Sequence, residues 1–421
     1  MPRALEWVDG RFGPITGLSR GRVDPGWWLT GGNLARSPVG NPFSPRPETS
    51  AGVSIDETES LRRALGEAVE RYCALNAELR PERATLAEAG LVDRLPVCAG
   101  DEPCPPSLRQ LPPHEPLTQV YARRLDDGAE VLLPAGFVDL RFRPSPPEPL
   151  VTLPISTGLA FREDLAAAIW SGLCEVVERD AVMCMWWLRA AGPEITCRSH
   201  DVPDELAERL ERLGRARLEA RFFDIATDFH VPTVFCILTG PTFPHLVVAA
   251  ACASDPARAC TKVLDEAVGM RQGLQFAHAH DGGPTKRPDH IHDLEDHALF
   301  YAGAPSSPAF TFLLEQPTAS RRPFADWAGG DWWEEPQDMV GLGRLATHLG
   351  TQGLTVLWAD LTTSDAEDVG RVVKVIVPEM VPLSPDHSIR WLGTRRLLQR
   401  GSINTTTATV SQFNPFPHPF P

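Results

Sequence analysis

The chain has 421 residues, 43% of them hydrophobic and 23% charged, which is material for one large domain or two to three modest ones around a sizeable core. A net charge of −15 and a pI near 5.3, with no basic stripe to offset the acid, exclude a general nucleic-acid binder. No apolar run reaches the roughly 18 residues a membrane helix requires and the first residues lack a secretory apolar core, so a cytoplasmic protein that binds no membrane is expected.

Residues 1–48 are rich in Gly, Pro and Arg, carry Trp27 and Trp28, show little periodicity, and are expected to wrap over a body built by the remainder, 49–421. A first helix opens at a capping box spanning Ser54 to Glu57 and runs to about Leu75. Prolines and charges between Arg80 and Pro116 predict irregular segments. Strands are expected at 117–122, 130–134 and 151–156, and a second helix over about 164–190. A helix over 204–217 leads into strands at 218–224, 234–239 and 246–253. A third long helix follows over about 255–275, with Asp255 as its cap and Pro256 in its first turn. Residues 278–335 read as loops with short helices. A helix at 340–349, strands at 355–360 and 372–377, and a proline-rich tail over 408–421 complete a mixed α/β fold.

Chemistry concentrates in the three long helices. Glu175, Glu178 and Arg179 form an E-x-x-E-R within an apolar run, and Glu67, Glu70 and Arg71 repeat it after the glycine-containing segment Ser50–Ser54. A weaker copy carries Glu266 and Arg271. Carboxylates among apolar neighbours are costly unless paired, so either the arginines neutralise them or a metal does. An isolated motif of this kind is most simply an intrahelical ion pair. Three such helices, each after a strand and a turn, suggest internal repetition and a shared site in which five carboxylates and several arginines suit magnesium bridging a polyphosphate.

No G-x-x-x-x-G-K-[ST] loop and no G-x-G-x-x-G after a strand occurs, so nucleotide binding would rest on the acidic helices. The histidines His278, His280, His290, His292 and His297 and the pair Cys98 and Cys104 lack zinc spacings. The nine cysteines, an odd number scattered mainly in apolar segments, suit reduced buried thiols.

The stretch Ser156–Ala160, followed by Ser171–Ala181 with Trp186 and Trp187, resembles the signature of the YcaO family. The segments Phe223–Asp228, Val231–Pro232, Ala359–Thr362, Val377–Pro378 and Leu392–Arg396 fall in the family's order. The ending Asn414–Pro421 resembles the proline-rich tail of its azoline-forming members. The resemblance implies a YcaO-like fold with repeated strand, turn and acidic-helix units around an ATP site. It implies an ATP- and Mg2+-dependent cyclodehydratase that converts Cys, Ser or Thr of a precursor peptide to thiazoline or oxazoline by phosphorylating the backbone amide oxygen.

Carried over by position, Glu67, Glu70, Glu175 and Glu178 match metal ligands. Arg179, Arg71, Glu163, Ser171 and Glu266 fall at the nucleotide site, and Pro417, Pro419 and Pro421 match the tail thought to bring the terminal carboxylate to the active site. The plain alternative for that tail is a loose polyproline II end. The chain departs from the family pattern at five positions: Val53 for Lys, Arg63 for Ser, Glu163 for Asn, Ala167 for Glu and Gly269 for Gln. A degenerate, non-catalytic subunit that presents peptide to another enzyme is therefore the competing reading. The partners implied are a ribosomally made precursor peptide, a separate leader-peptide-binding protein of ubiquitin-activating-like or winged-helix type, a flavin dehydrogenase where azolines are oxidised, and a second copy in a homodimer.

Overall fold

Long apolar runs such as 165–188 are stable in water only when neighbouring elements cover them on all sides. The computed structural model describes residues 2–11, 13–35, 48–281, 288–303, 307–404 and 407–420. Among these the strands are β1 (Ile15–Val23), β2 (Trp27–Leu34), β3 (Thr49–Ser54), β4 (Pro81–Ala84), β5 (Leu117–Arg124), β6 (Glu130–Pro134), β7 (Leu159–Arg162), β8 (Glu194–Thr196), β9 (Glu219–Asp224), β10 (Thr233–Thr239), β11 (Leu246–Cys252), β12 (Arg322–Pro323), β13 (Leu357–Asp360) and β14 (Arg371–Ile376). They form a sheet of order β1-β2-β3, a sheet of order β11-β10-β9-β8-β12, and a third of order β4-β5-β13-β14-β7 with β6 also on β5. The longer helices are α1 (Glu57–Asn76), α2 (Leu165–Leu188), α3 (Asp204–Arg215), α4 (Pro256–Asp281), α5 (Leu294–Ala302) and α6 (Met339–Thr351).

The helices lie between the sheets. α1 packs on β2 and β3 on one side and on β7 and β14 on the other. α2, apolar around most of its circumference, lies between β7 and β14 and the strands β10 and β11. α4 packs on β10 and β11 and reaches β3. Each acidic helix thus touches two sheets, and the three sheets are joined through these helices.

Helix starts follow local chemistry. Asp164 Oδ1 accepts from Ala167 N at 3.1 Å, and Asp255 Oδ1 accepts from Arg258 N at 2.7 Å, as the sequence predicts for α4. At α1 the cap is Asp56, which accepts from Glu59 N at 2.8 Å, while Ser54 closes β3. Three further expectations are corrected. The glycine-containing segment before α1 is no turn: it is β3, and Gly52 is needed because a Cβ there would lie 2.0 Å from Ser60 O. The N-terminal segment, expected to wrap over the body without strands of its own, contributes β1 and β2, which pair antiparallel, and β2 carries β3. Residues 151–156 form no strand, because Pro154 has no N–H to give and the place beside β14 is taken by β7, with Leu159 opposite Lys374. The stretch read as loops with short helices contains α5, as expected, with its first turn capped by Asp293.

The units β3–α1, β7–α2 and β11–α4 share one local connection, although their strands belong to three different sheets. The nine cysteines are free thiols, eight of them buried. Among the described residues no helix is long and apolar enough to cross a membrane.

One buried carboxylate joins four elements. Asp265 of α4, fully buried, accepts from Trp27 Nε1 (2.7 Å, β2), Arg63 Nη1 (2.9 Å, α1) and Arg209 Nε and Nη2 (2.9 and 3.0 Å, α3). Asp265→Asn leaves the buried Arg209 without its counter-charge and is expected to lower unfolding free energy by about 3–5 kcal/mol, read from urea denaturation against wild type.

Candidate functional site: a cavity where three acidic helices meet

The E-x-x-E-R spacing on α1 and α2 places both glutamates of each helix toward the space between the sheets. On α1, Glu67 Oε2 accepts from Ala51 N at 2.7 Å and its Oε1 pairs with Arg71 Nη2 at 2.7 Å. Glu70 Oε2 accepts from Phe161 N of β7 at 3.2 Å. On α2, Glu175 Oε2 accepts from Gly158 N at 3.3 Å and Oε1 accepts from Arg179 Nη2 at 3.5 Å. Gly158 has φ of +84°, and a Cβ there would lie 2.1 Å from Val375 O, so the turn before β7 demands glycine. Glu178, 2% exposed, accepts from Cys252 N at 3.0 Å and from Lys262 Nζ of α4 at 3.2 Å. Lys262 also lies 3.6 Å from Glu266.

All of these acidic and basic side chains except Glu178, which lines neither, border two adjoining cavities. The larger, about 890 Å³, is lined by Glu67 and Glu70 of α1, Ala167 and Arg179 of α2 and Lys262, Asp265 and Glu266 of α4. The smaller, about 280 Å³, is lined by Glu67, Glu70, Arg71, Glu175 and Arg179. Burial, reinforced by Glu175 and Glu67, pushes the Glu70 carboxyl up to about 8. Burial likewise raises Glu266 to about 7, against the pull of Lys262, and raises Glu175 against that of Arg179. Burial alone would lower Lys262, but Glu178 and Glu266 hold it above its ordinary value.

The three acidic helices therefore share one cavity. Arg71 reaches its smaller neighbour and also bonds Glu48 at 3.1 Å. Glu163 lines the larger cavity at its exposed rim, whereas half-buried Ser171 does not line it. All five positions that depart from the family pattern, Val53, Arg63, Glu163, Ala167 and Gly269, line this one cavity.

The tail is docked. Asn414 N donates to Trp187 O at 2.9 Å, Trp186 Nε1 donates to Phe416 O at 3.1 Å, and Tyr301 Oη donates to Pro417 O at 2.6 Å. His297 Nδ1 meets His418 O at 2.7 Å, and the two imidazoles stack at 3.7 Å. Pro417 and Pro419 are buried spacers, and Phe420 reaches the larger cavity with Arg179 4.3 Å above its ring. Pro421 lies outside the described residues.

Sequence reasoning missed Lys262 and Lys374. Lys262 stands four residues before Glu266, a visible i,i+4 signal. Lys374 interrupts the apolar strand β14, is 3% exposed, and donates from Nζ to Ile155 O. Burial lowers it to about 8 against the pull of Glu175 and Glu70. A lysine at one position of a strand usually marks the solvent face, which concealed it.

Comparison with known proteins bears on this geometry. Residues 51–381 match the family model described as YcaO cyclodehydratase, ATP- and Mg2+-binding. The chain belongs to the YcaO family. An uncharacterised protein from the tfuA 3′ region of Rhizobium leguminosarum bv. trifolii is 27% identical over 274 residues, 58% of this chain and 60% of that protein. Among solved structures, a heterocyclase in complex with substrate and cofactor aligns over 100% of this chain and 57% of its own, with 21% identity and a TM-score of 0.74. YcaO from Methanopyrus kandleri bound with AMPPCP and Mg2+ aligns over 90% of each chain, with 21% identity and a TM-score of 0.61. These likenesses establish the YcaO fold. The chain spans 60% of the relative and 57% of the heterocyclase chain.

The donor set suits the family's cofactors. Carboxylate oxygens are hard ligands appropriate to Mg2+, and guanidinium groups suit phosphate. Among the described residues no three His, Cys, Asp or Glu side chains converge to hold an ion by themselves. That fits an ion taking one or two carboxylates plus phosphate oxygens.

A pH dependence follows. A protonated Glu70 is a poor ligand, so affinity for Mn2+ with an ATP analogue is expected to rise as pH increases through about 8 and then level. Because the folded value lies above the ordinary 4.5, Glu70's contribution to stability of the ligand-free protein is full below pH 4.5 and is lost as pH climbs through about 8. Glu70→Gln should flatten both profiles, as read by calorimetric titration and by melting temperature between about pH 5 and 10.

Proposed function

We propose that the protein is an ATP-dependent cyclodehydratase that turns Cys, Ser or Thr residues of a ribosomally made precursor peptide into thiazoline or oxazoline. The observation that carries this reading is the meeting of α1, α2 and α4 on one cavity that combines carboxylates for Mg2+ with arginines for phosphate. Bound ATP with Mg2+ supplies the phosphoryl group that makes an amide oxygen a good leaving group. The protein's own residues do the remainder. Carboxylates from the set Glu67, Glu70, Glu175 and Glu178 would hold the cation together with phosphate oxygens. Arg179, fixed between Glu175 and the ring of Phe420, offers positive charge where negative charge develops. Glu266, titrating at about 7, can take or give a proton at neutral pH. Val53, Val248 and Met270 with Phe420 give the cavity apolar wall that limits water.

The competing reading, a subunit that has lost catalysis, draws on the five altered positions. Their packing supports coordinated remodelling instead. A Cβ on Gly269 would lie 2.9 Å from Val53 Cγ2, so the valine occupies the space that a side chain at 269 would need. Arg63 Nη1 donates to Val53 O at 2.6 Å, which places a guanidinium beside the position where the family usually has lysine. Decay has no reason to keep volume and charge matched in this way. A leader-peptide-binding partner and the docked tail complete the proposal, with the buried prolines setting how far Phe420 extends.

Glu175→Gln and Glu178→Gln each keep an oxygen that can accept from Gly158 N or Cys252 N, so the fold should persist. Turnover should fall on the order of a hundredfold or more. The check is mass spectrometry of the precursor peptide incubated with ATP and the leader-binding partner, counting loss of one water per ring. Normal ring formation by either variant would remove these helices from the reaction.

A further inference from the structure

The carboxylate cluster is nearly balanced by the protein's own cations. Glu67 pairs with Arg71 at 2.7 Å, Glu175 with Arg179 at 3.5 Å, and Glu178 with Lys262 at 3.2 Å. Among the described residues Glu70 has no such close ion-pair partner of its own. The cation placed beside Glu70 and Glu175 from the opposite layer is Lys374, 3% exposed on β14: its Nζ donates to Ile155 O and its register partner is Leu159, and both Ile155 and Leu159 line the smaller cavity with Glu70 and Glu175. Arg162 adds positive charge beside Glu70, and Glu48 and Glu266 add negative charge beyond Arg71 and Lys262. Even with every carboxylate ionised, six acids face five bases.

Oxygen sites take up free divalent ions in proportion to their uncompensated negative charge and their ready-made ligand count. This cluster is poor in both, since its charge is nearly cancelled and, among the described residues, no three acidic side chains converge on one point. A nucleotide changes the balance, because it brings several negative charges and its own oxygens. We propose that Lys374 is a positioning residue that keeps the cluster from binding a free divalent cation, so that the ion enters only together with the polyphosphate. The proposal rests on the reading of this cavity as the nucleotide site. It assigns a role to a lysine that touches neither larger cavity and belongs to none of the three acidic helices.

The test is a titration of the full-length protein with Mn2+, a spectroscopic substitute for Mg2+, followed by the electron paramagnetic resonance signal of the free ion, with and without AMPPCP. Wild type should bind Mn2+ at least about tenfold more weakly without the analogue than with it. Lys374→Met should tighten nucleotide-free Mn2+ binding on the order of tenfold, and Lys374→Arg should not. A purely structural lysine would instead lower the melting temperature and leave Mn2+ affinity unchanged. Equal Mn2+ affinity of wild type and Lys374→Met without nucleotide overturns the proposal, as does equal affinity of wild type with and without a bound analogue. Failure of AMPPCP itself to bind would count against the nucleotide reading alone, because the comparison of wild type with Lys374→Met without nucleotide still decides the role of Lys374. Should Lys374→Met not fold, Lys374→Gln reads the same quantity.

Discussion

The cost of taking a carboxylate out of water, several kcal/mol unless it is matched by charge and hydrogen bonds, governs how this molecule is put together. Where an acid is structural, the match is generous. Asp265 accepts from two guanidinium groups and an indole. Asp180 of α2, also fully buried, accepts from both Arg396 Nε and Val381 N, and Arg396 continues to Asp228. Glu102 accepts from Arg390 N at 2.7 Å and Leu392 N at 2.9 Å, with Ala99 N as a third donor. Three glutamates at the cavities, Glu70, Glu175 and Glu266, are matched less well, and burial raises each of them. Glu70 has one backbone donor and two neighbouring acids, and its carboxyl is pushed up to about 8. Incomplete compensation at that place, beside full compensation elsewhere, separates the functional acids from the structural ones.

The same logic explains why the chain's end is held so firmly. A polyproline segment costs little backbone entropy to order, and its carbonyls need donors when buried. Trp186, Tyr301 and His297 supply them in succession, and burial holds His297 down at about 4, so it remains neutral in its stack with His418. The outcome is an aromatic ring placed under Arg179 by residues that do not themselves line the cavity. Second-layer support of this kind fixes the orientation of a charged group without placing another charge beside it.

How much of this could be read in advance varies by element. α2 and α4 were legible because long apolar runs begin at Asp caps, and the convergence of acidic helices was legible because one spacing recurs. The hairpin of β1 and β2 was concealed by glycines and arginines that break alternation, since only Trp27, Thr30 and Leu34 with a few neighbours turn inward. The start of α1 was misplaced by two residues because Ser54 and Asp56 are both good caps and only the pairing of β3 decides between them. Lys374 and the bond from His297 to His418 were out of reach, because each depends on residues more than a hundred positions apart meeting in space.

The claim on which the account stands is that α1, α2 and α4 together form a nucleotide site. A crystal structure of the protein grown with Mn2+ and a non-hydrolysable ATP analogue tests it most directly, because the anomalous signal of manganese locates the ion independently of the nucleotide density. The account predicts a triphosphate in the cavity of about 890 Å³, with manganese between its oxygens and carboxylates of α1 and α2. Nucleotide bound elsewhere, or manganese seated away from Glu67, Glu70, Glu175 and Glu178, would contradict it.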